Sequence, residues 1–220
     1  MTAVPPKRPR YEPRPTPAKP EKPSLRKTNL YLIGMMGAGK TTIGKKLANR
    51  LSYRFLDTDA LIEKTAGQPV SQIFAQSGEA AFRQIESEVL SQTSSYTQLV
   101  VATGGGIITQ PMNWSYLRHG IVIWLDVPVP VLVSRLSGDT SRPLLQAVDL
   151  TEKLETLLHE RGDRYAQADI RIPYEGRSVG KTCDRILTAI QKNIREPKRT
   201  ADEIVINQPS INSPATNPAN

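Results

Sequence analysis

The chain is poor in the residues that build disulfide frameworks, metal clusters and membrane spans. Of its 220 residues one is cysteine, two are histidine and 5% are aromatic. A lone thiol, Cys183, cannot close an internal disulfide, so a disulfide-stapled scaffold is excluded and a reducing compartment is favoured. Its setting, SVGKTCDRILTAIQKNI, has the spacing of a helix and places the thiol on the core side as a small apolar residue. The histidines, His119 and His159, lie in no motif and read as surface or helix-terminal groups. No apolar run approaches the ~18–20 residues that cross a bilayer, and the first residues lack a signal-peptide apolar region. No arrangement of Ser or Cys with a base suggests a covalent nucleophile.

Proline is the opposite case: there are 18, and they are unevenly spread. Residues 1–28 hold eight prolines, eight Lys/Arg and two Glu, and so carry six of the eight net positive charges of the chain. The pI near 9.7 is therefore a property of this leader, and the body is close to neutral. The carboxyl-terminal stretch is rich in Pro, Asn and Ser and has no periodicity. Neither end can bury enough apolar surface to offset its ordering entropy, so 1–28 and 196–220 are expected to be disordered tails around a folded body over 29–195. A solvated leader accounts for the basic charge, and neither nucleic acid nor a membrane is expected as a partner. With few serines and two glutamates, the leader is unlike a plastid transit peptide. The cytoplasm is the expected location and a plastid the alternative.

What the body does contain is the stretch GMMGAGKTT at 34–42. Gly34-x-x-x-x-Gly39-Lys40-Thr41 matches the phosphate-binding loop pattern, in which backbone N–H groups surround phosphate oxygens. Lys40 would reach the β- and γ-phosphates and the Thr41 hydroxyl would ligate Mg²⁺. An apolar run, NLYLI, precedes the loop, and the amphipathic TTIGKKLANRL follows it. Strand, glycine loop and helix together place phosphate at a helix N-terminus. Gly37, Ala38, Gly39, Lys40, Thr41 and Thr42 are the expected nucleotide contacts.

Apolar runs recur at 29–33, 54–57, 99–103, 121–126 and 170–174, with helical periodicity between them. The segment SQIFAQSGEAAFRQIESEVLSQ reads as two helices broken near Ser77-Gly78, and MNWSYLRHG as a helix closed by a glycine cap. Continuous apolar runs suit strands buried on both faces. The expected fold class is α/β, a three-layer arrangement of a five-stranded parallel sheet flanked by helices, with the site beyond the carboxyl ends of the strands.

Polar groups of distinctive kind stand at those ends. Asp57 and Asp59 follow RFL as a D-x-D pair on an extended segment: one carboxylate would serve Mg²⁺ and the other an attacking hydroxyl. By itself the pair could equally be solvated acids with Asp59 as a helix cap. Gly104, Gly105 and Gly106 follow LVVAT as bare backbone open to a ligand. Arg83 and Glu86 in FRQIE are one helical turn apart, which suits a guanidinium aimed at a carboxylate and equally a surface ion pair. RLSGDTSRPLL reads as a mobile lid carrying Arg142 to the transferring phosphate.

GMMGAGKTT, DTD, GEAAFRQIE, VVATGGG and SRPLL, in that order, resemble the shikimate kinase family over roughly residues 29–190. The resemblance implies a nucleoside monophosphate kinase-like fold, ATP and shikimate as substrates, Mg²⁺ as cofactor, and a monomer in the pathway to chorismate and the aromatic amino acids. It also implies roles. Asp59 would orient or deprotonate the attacking hydroxyl, with Lys40 and Arg142 as the other catalytic groups. Arg83 would take the shikimate carboxylate, Glu86 would hold Arg83, and Gly104–Gly106 would pack on the ring. Thr41 and Asp57 would serve Mg²⁺, and Arg135 would stack on adenine. The second carboxylate clamp falls on RGDRY, where Arg161 and Tyr165 match the family pattern and Gly162-Asp163-Arg164 depart from it.

Overall fold

The computed structural model describes residue 25 and residues 27–137 and 149–195. The expected terminal tails, apart from Leu25, Lys27 and Thr28, lie outside these residues, as does Arg142. Five strands form one parallel sheet: β1 (Asn29–Ile33), β2 (Arg54–Asp57), β3 (Leu99–Ala102), β4 (Gly120–Asp126) and β5 (Ile170–Pro173). Their spatial order is β2-β3-β1-β4-β5. The helices are α1 (Lys40–Leu51), α2 (Thr58–Ala66), α3 (Val70–Ser94), α4 (Asn113–Leu117), α5 (Val129–Leu136), α6 (Leu150–Tyr165) and α7 (Val179–Arg195).

Burial follows position in the sheet. Every residue of the inner strands β1 and β3 is buried, as their unbroken apolar runs require. The edge strand β5 alternates buried and exposed positions, and the other edge, β2, is only partly covered. The core also begins earlier than residue 29, because Leu25 is buried within it and Lys27 O accepts from Gln98 N at 3.1 Å. Cys183 is fully buried on α7, as its helical spacing predicts, and burial pushes its thiol pKa up. A separate small cluster, Ile62, Ile73, Phe82 and Val89, joins α2 to α3.

Two local readings need correction. Gly120 does not cap α4, which ends at Leu117; it opens β4. A Cβ there would lie 2.5 Å from Asn29 O and 2.7 Å from the Tyr31 ring, so close packing of β4 on β1 explains the glycine. Asp57 and Asp59 do not share an extended segment either. Asp57 ends β2 and caps α2, accepting from Asp59 N at 3.2 Å and Ala60 N at 3.4 Å, while Asp59 lies in the first helical turn. The break in α3 falls where the sequence puts it, at Gly78, with φ 77° and ψ 174°.

The connections place the site. The chain leaves β1 through α1 towards β2, then passes from β3 to β4 on the other side of β1. Direction reverses around β1, so a crevice opens beyond the carboxyl ends of β1, β3 and β4. Among the described residues no helix is long and apolar enough to cross a membrane.

Candidate active site

Two cavities meet in this crevice. The larger, of about 440 Å³, is walled by the loop residues Gly37 to Thr42, by Asp57 and Asp59, and by Arg135 on α5. Lys40 is buried at its base, where Nζ donates to Gly34 O at 2.8 Å and Met35 O at 2.9 Å. Its own loop thus fixes the ammonium where the phosphates of a nucleotide would lie. Thr41 Oγ1 donates to Asp57 Oδ2 at 2.7 Å. Since Asp57 Oδ1 caps α2, this carboxylate ties the phosphate loop to the start of that helix.

The smaller cavity, of about 70 Å³, is lined by Asp59, Arg83, Glu86, Gly104, Gly105, Gly106 and Arg161. Asp59, Met36 and Gly105 line both cavities, so the two are adjoining compartments of one site. Arg83 is 6% exposed and Glu86 fully buried; Arg83 NH1 donates to Glu86 Oε2 at 2.7 Å. Burial alone would lower the Arg83 pKa, but the Glu86 and Glu79 carboxylates outweigh it, and the guanidinium stays charged. Burial pushes the Glu86 carboxyl up to about 7, against the pull of Arg83 and with a further push from Asp59.

Close backbone approach explains the glycine run. A Cβ on Gly104 would collide with Glu86 Oε1 and come within 2.8 Å of Asp59 Oδ1, and one on Gly106 would overlap the Arg83 guanidinium. The run is held from both sides. Thr58 Oγ1 accepts from Gly104 N at 2.9 Å, and Gly105 O accepts from Tyr165 Oη at 2.6 Å and from Arg161 NH1 at 3.4 Å. Burial pushes the Tyr165 hydroxyl up to about 12, so it remains a donor. RGDRY therefore delivers a buried arginine and a tyrosine to the glycine wall. A Cβ on Gly162 would meet nothing within 4 Å, and Asp163 and Arg164 are exposed.

A family model described as shikimate kinase matches residues 36–191. The chain belongs to the shikimate kinase family. A shikimate kinase of Microcystis aeruginosa is 53% identical over 174 residues, covering 79% of this chain and 92% of the relative. One of a Nostoc species is 59% identical over 148 residues, 67% of this chain and 82% of the relative. Among solved structures, a shikimate kinase from Acinetobacter baumannii in complex with shikimate superposes with a TM-score of 0.75 at 40% identity, over 77% of this chain and 96% of that one. A gluconokinase from Sinorhizobium meliloti, at 14% identity and a TM-score of 0.50, shares the fold alone.

Around these two cavities the structure brings together every expected residue except Arg142, which lies outside the described residues. It also adds supports that the sequence reading passed over. Glu79 Oε1 accepts from Arg83 NH2 at 3.0 Å and Nε at 3.3 Å, giving the guanidinium a second carboxylate. The i,i+4 spacing within GEAAFR was the available signal. Thr58 had none, because its partner lies 46 residues away on another element.

Proposed function

We infer that the protein transfers the γ-phosphoryl group of ATP to the 3-hydroxyl of shikimate, in the route to chorismate and the aromatic amino acids. The observation that carries this reading is the joining of the two cavities at Asp59. A phosphate loop lies on one side, and two buried arginines and a glycine wall lie on the other. A small anion carrying hydroxyl groups suits the second compartment. An acceptor without a carboxylate would leave buried guanidinium donors unpaired, at a cost of ~1–3 kcal/mol or more.

Arg83 and Arg161 hold the acceptor carboxylate, and Glu86 fixes Arg83. Asp59 hydrogen-bonds the attacking hydroxyl and takes its proton as the new O–P bond forms. The bond from the γ-phosphorus to the β-bridging oxygen breaks in line, and ADP leaves. Lys40, with Arg142, balances the charge on the phosphates. No phosphoenzyme is needed, since positioning and charge supply most of the catalysis.

Thr41 Oγ1 and Asp57 Oδ2, hard oxygens 2.7 Å apart on the cavity wall, fit Mg²⁺, which takes few protein ligands and completes its shell with water and phosphate oxygens. When bound there the ion would neutralise phosphate charge. We place the enzyme in the cytoplasm as a monomer.

The test is ADP release at fixed Mg²⁺ with and without shikimate, and with a panel of other hydroxy acids. Strong dependence on shikimate is expected. Equal or greater turnover with gluconate or another acid would overturn the acceptor assignment.

A further inference from the structure

The nucleotide cavity has a wall that the catalytic groups do not explain. Arg135, at the end of α5, donates from NH1 to Gly37 O at 2.9 Å, bridging to the phosphate loop. Its guanidinium also lies over the ring of Tyr174, 5.2 Å from the centroid, within the range of a cation–π contact. Tyr174 follows β5 and is 37% exposed, much for a large aromatic side chain. Both residues line the larger cavity.

Tyr174 is not on a loose turn. Its N–H donates to Asp126 O at 2.8 Å, extending the β4–β5 pairing by one residue. On either side of it, Arg185 on α7 donates NH1 to Pro173 O at 2.9 Å and pairs NH2 with Glu175 at 2.8 Å. Arg177 holds the same Glu175 carboxylate at 2.5 Å. Three separate anchors thus fix an exposed tyrosine at a cavity wall, a poor place for one unless its ring has a task.

We propose that Tyr174 is a positioning residue for the nucleobase. Its ring holds the Arg135 guanidinium flat, and the base stacks on the guanidinium face turned away from the tyrosine. Left to itself, an exposed arginine samples many rotamers, and ordering it on binding would oppose affinity. A guanidinium already fixed between Gly37 O and an aromatic face avoids much of that loss. This proposal rests on assigning the larger cavity to the nucleotide, and adds the residue that shapes its base end.

The experiment measures ATP affinity of the full chain by titration calorimetry, which needs no acceptor and so does not depend on shikimate being the substrate. Tyr174→Ala and Tyr174→Leu are each expected to weaken ATP about 3–10-fold, while Tyr174→Phe stays within about 2-fold of the parent. Arg135→Ala should weaken ATP similarly, and adding Tyr174→Ala to it should cost little more, because the two residues act as one unit. In turnover the loss should appear in the KM for ATP, not in kcat at saturating ATP. Additive losses in the double variant, or a Leu variant as tight as Phe, would overturn the proposal. Failure of ATP to bind the parent chain would instead overturn the nucleotide assignment itself.

Discussion

Arg83 is the residue where most of the site's electrostatics converge. It is nearly buried, paired with fully buried Glu86 and half-exposed Glu79, and covered by Gly106. Arg83→Ala would leave the Glu86 carboxylate without its main partner. We expect a loss of ~3–5 kcal/mol in denaturant unfolding, together with a large rise in the KM for shikimate. Asp59→Asn should act differently, lowering kcat by about 10²–10⁴-fold with smaller effects on stability, since the task proposed for it is to accept a proton. Steady-state kinetics and unfolding on the same preparations separate the two. Glu86 gives a pH test. Its ordinary pKa of 4.5 rises to about 7 in the fold, so between these values the folded protein holds a proton that the unfolded chain releases. The stabilisation from this group is therefore full below pH 4.5 and lost as pH rises through 7. Relative to Glu86→Gln, the parent should lose stability between pH 5 and 8, by at most ~1.4 kcal/mol per pH unit. Parallel pH profiles for the two proteins would refute this.

Among the elements, the strands were the most legible. All five appear where apolar runs are bounded by turn residues, and the inner β1 and β3 are buried throughout because a strand between two helical layers must be apolar on both faces. Helix termini were less so. The D-x-D pair read as extended, yet Asp57 closes a strand and caps a helix at once, a choice made by hydrogen bonds to Asp59 N and Ala60 N and by the distant Thr41. Gly120 read as a cap for a similar reason: in sequence, a glycine after a helix looks the same whether it ends that helix or lets the next strand approach its neighbour. The structure predicts that Gly120→Ala forces β4 away from Asn29 O on β1, at ~1–3 kcal/mol, because backbone cannot give way as a side chain can. Thermal and urea unfolding measure this, whereas a merely capping glycine would lose stability through the strain of its positive φ. Gly120 has none.

For the whole molecule, the described core runs from Leu25 to α7 and places both cavities at one end of the sheet. We expect a chain trimmed to residues 25–195 to keep shikimate-dependent turnover within about 2-fold of the full chain. Trimming to 29–195, which removes Leu25, should lower stability by ~1–2 kcal/mol. Equal unfolding midpoints for the two trimmed chains would show that Leu25 contributes nothing. Motif spacing and apolar periodicity determined the phosphate loop, the strands and the α/β class, because these features depend on neighbours a few positions apart, whereas Arg135 and Arg161 entered only through the family resemblance. The strand order, the meeting of Asp59 with Arg83 and Arg161, the anchoring of the glycine wall by Thr58 and Tyr165, and the Arg135–Tyr174 stack were decided only in three dimensions. Each joins residues from separate elements, and their pairing is fixed by which strands lie side by side and which helices pack across them, a choice no local pattern of residues encodes.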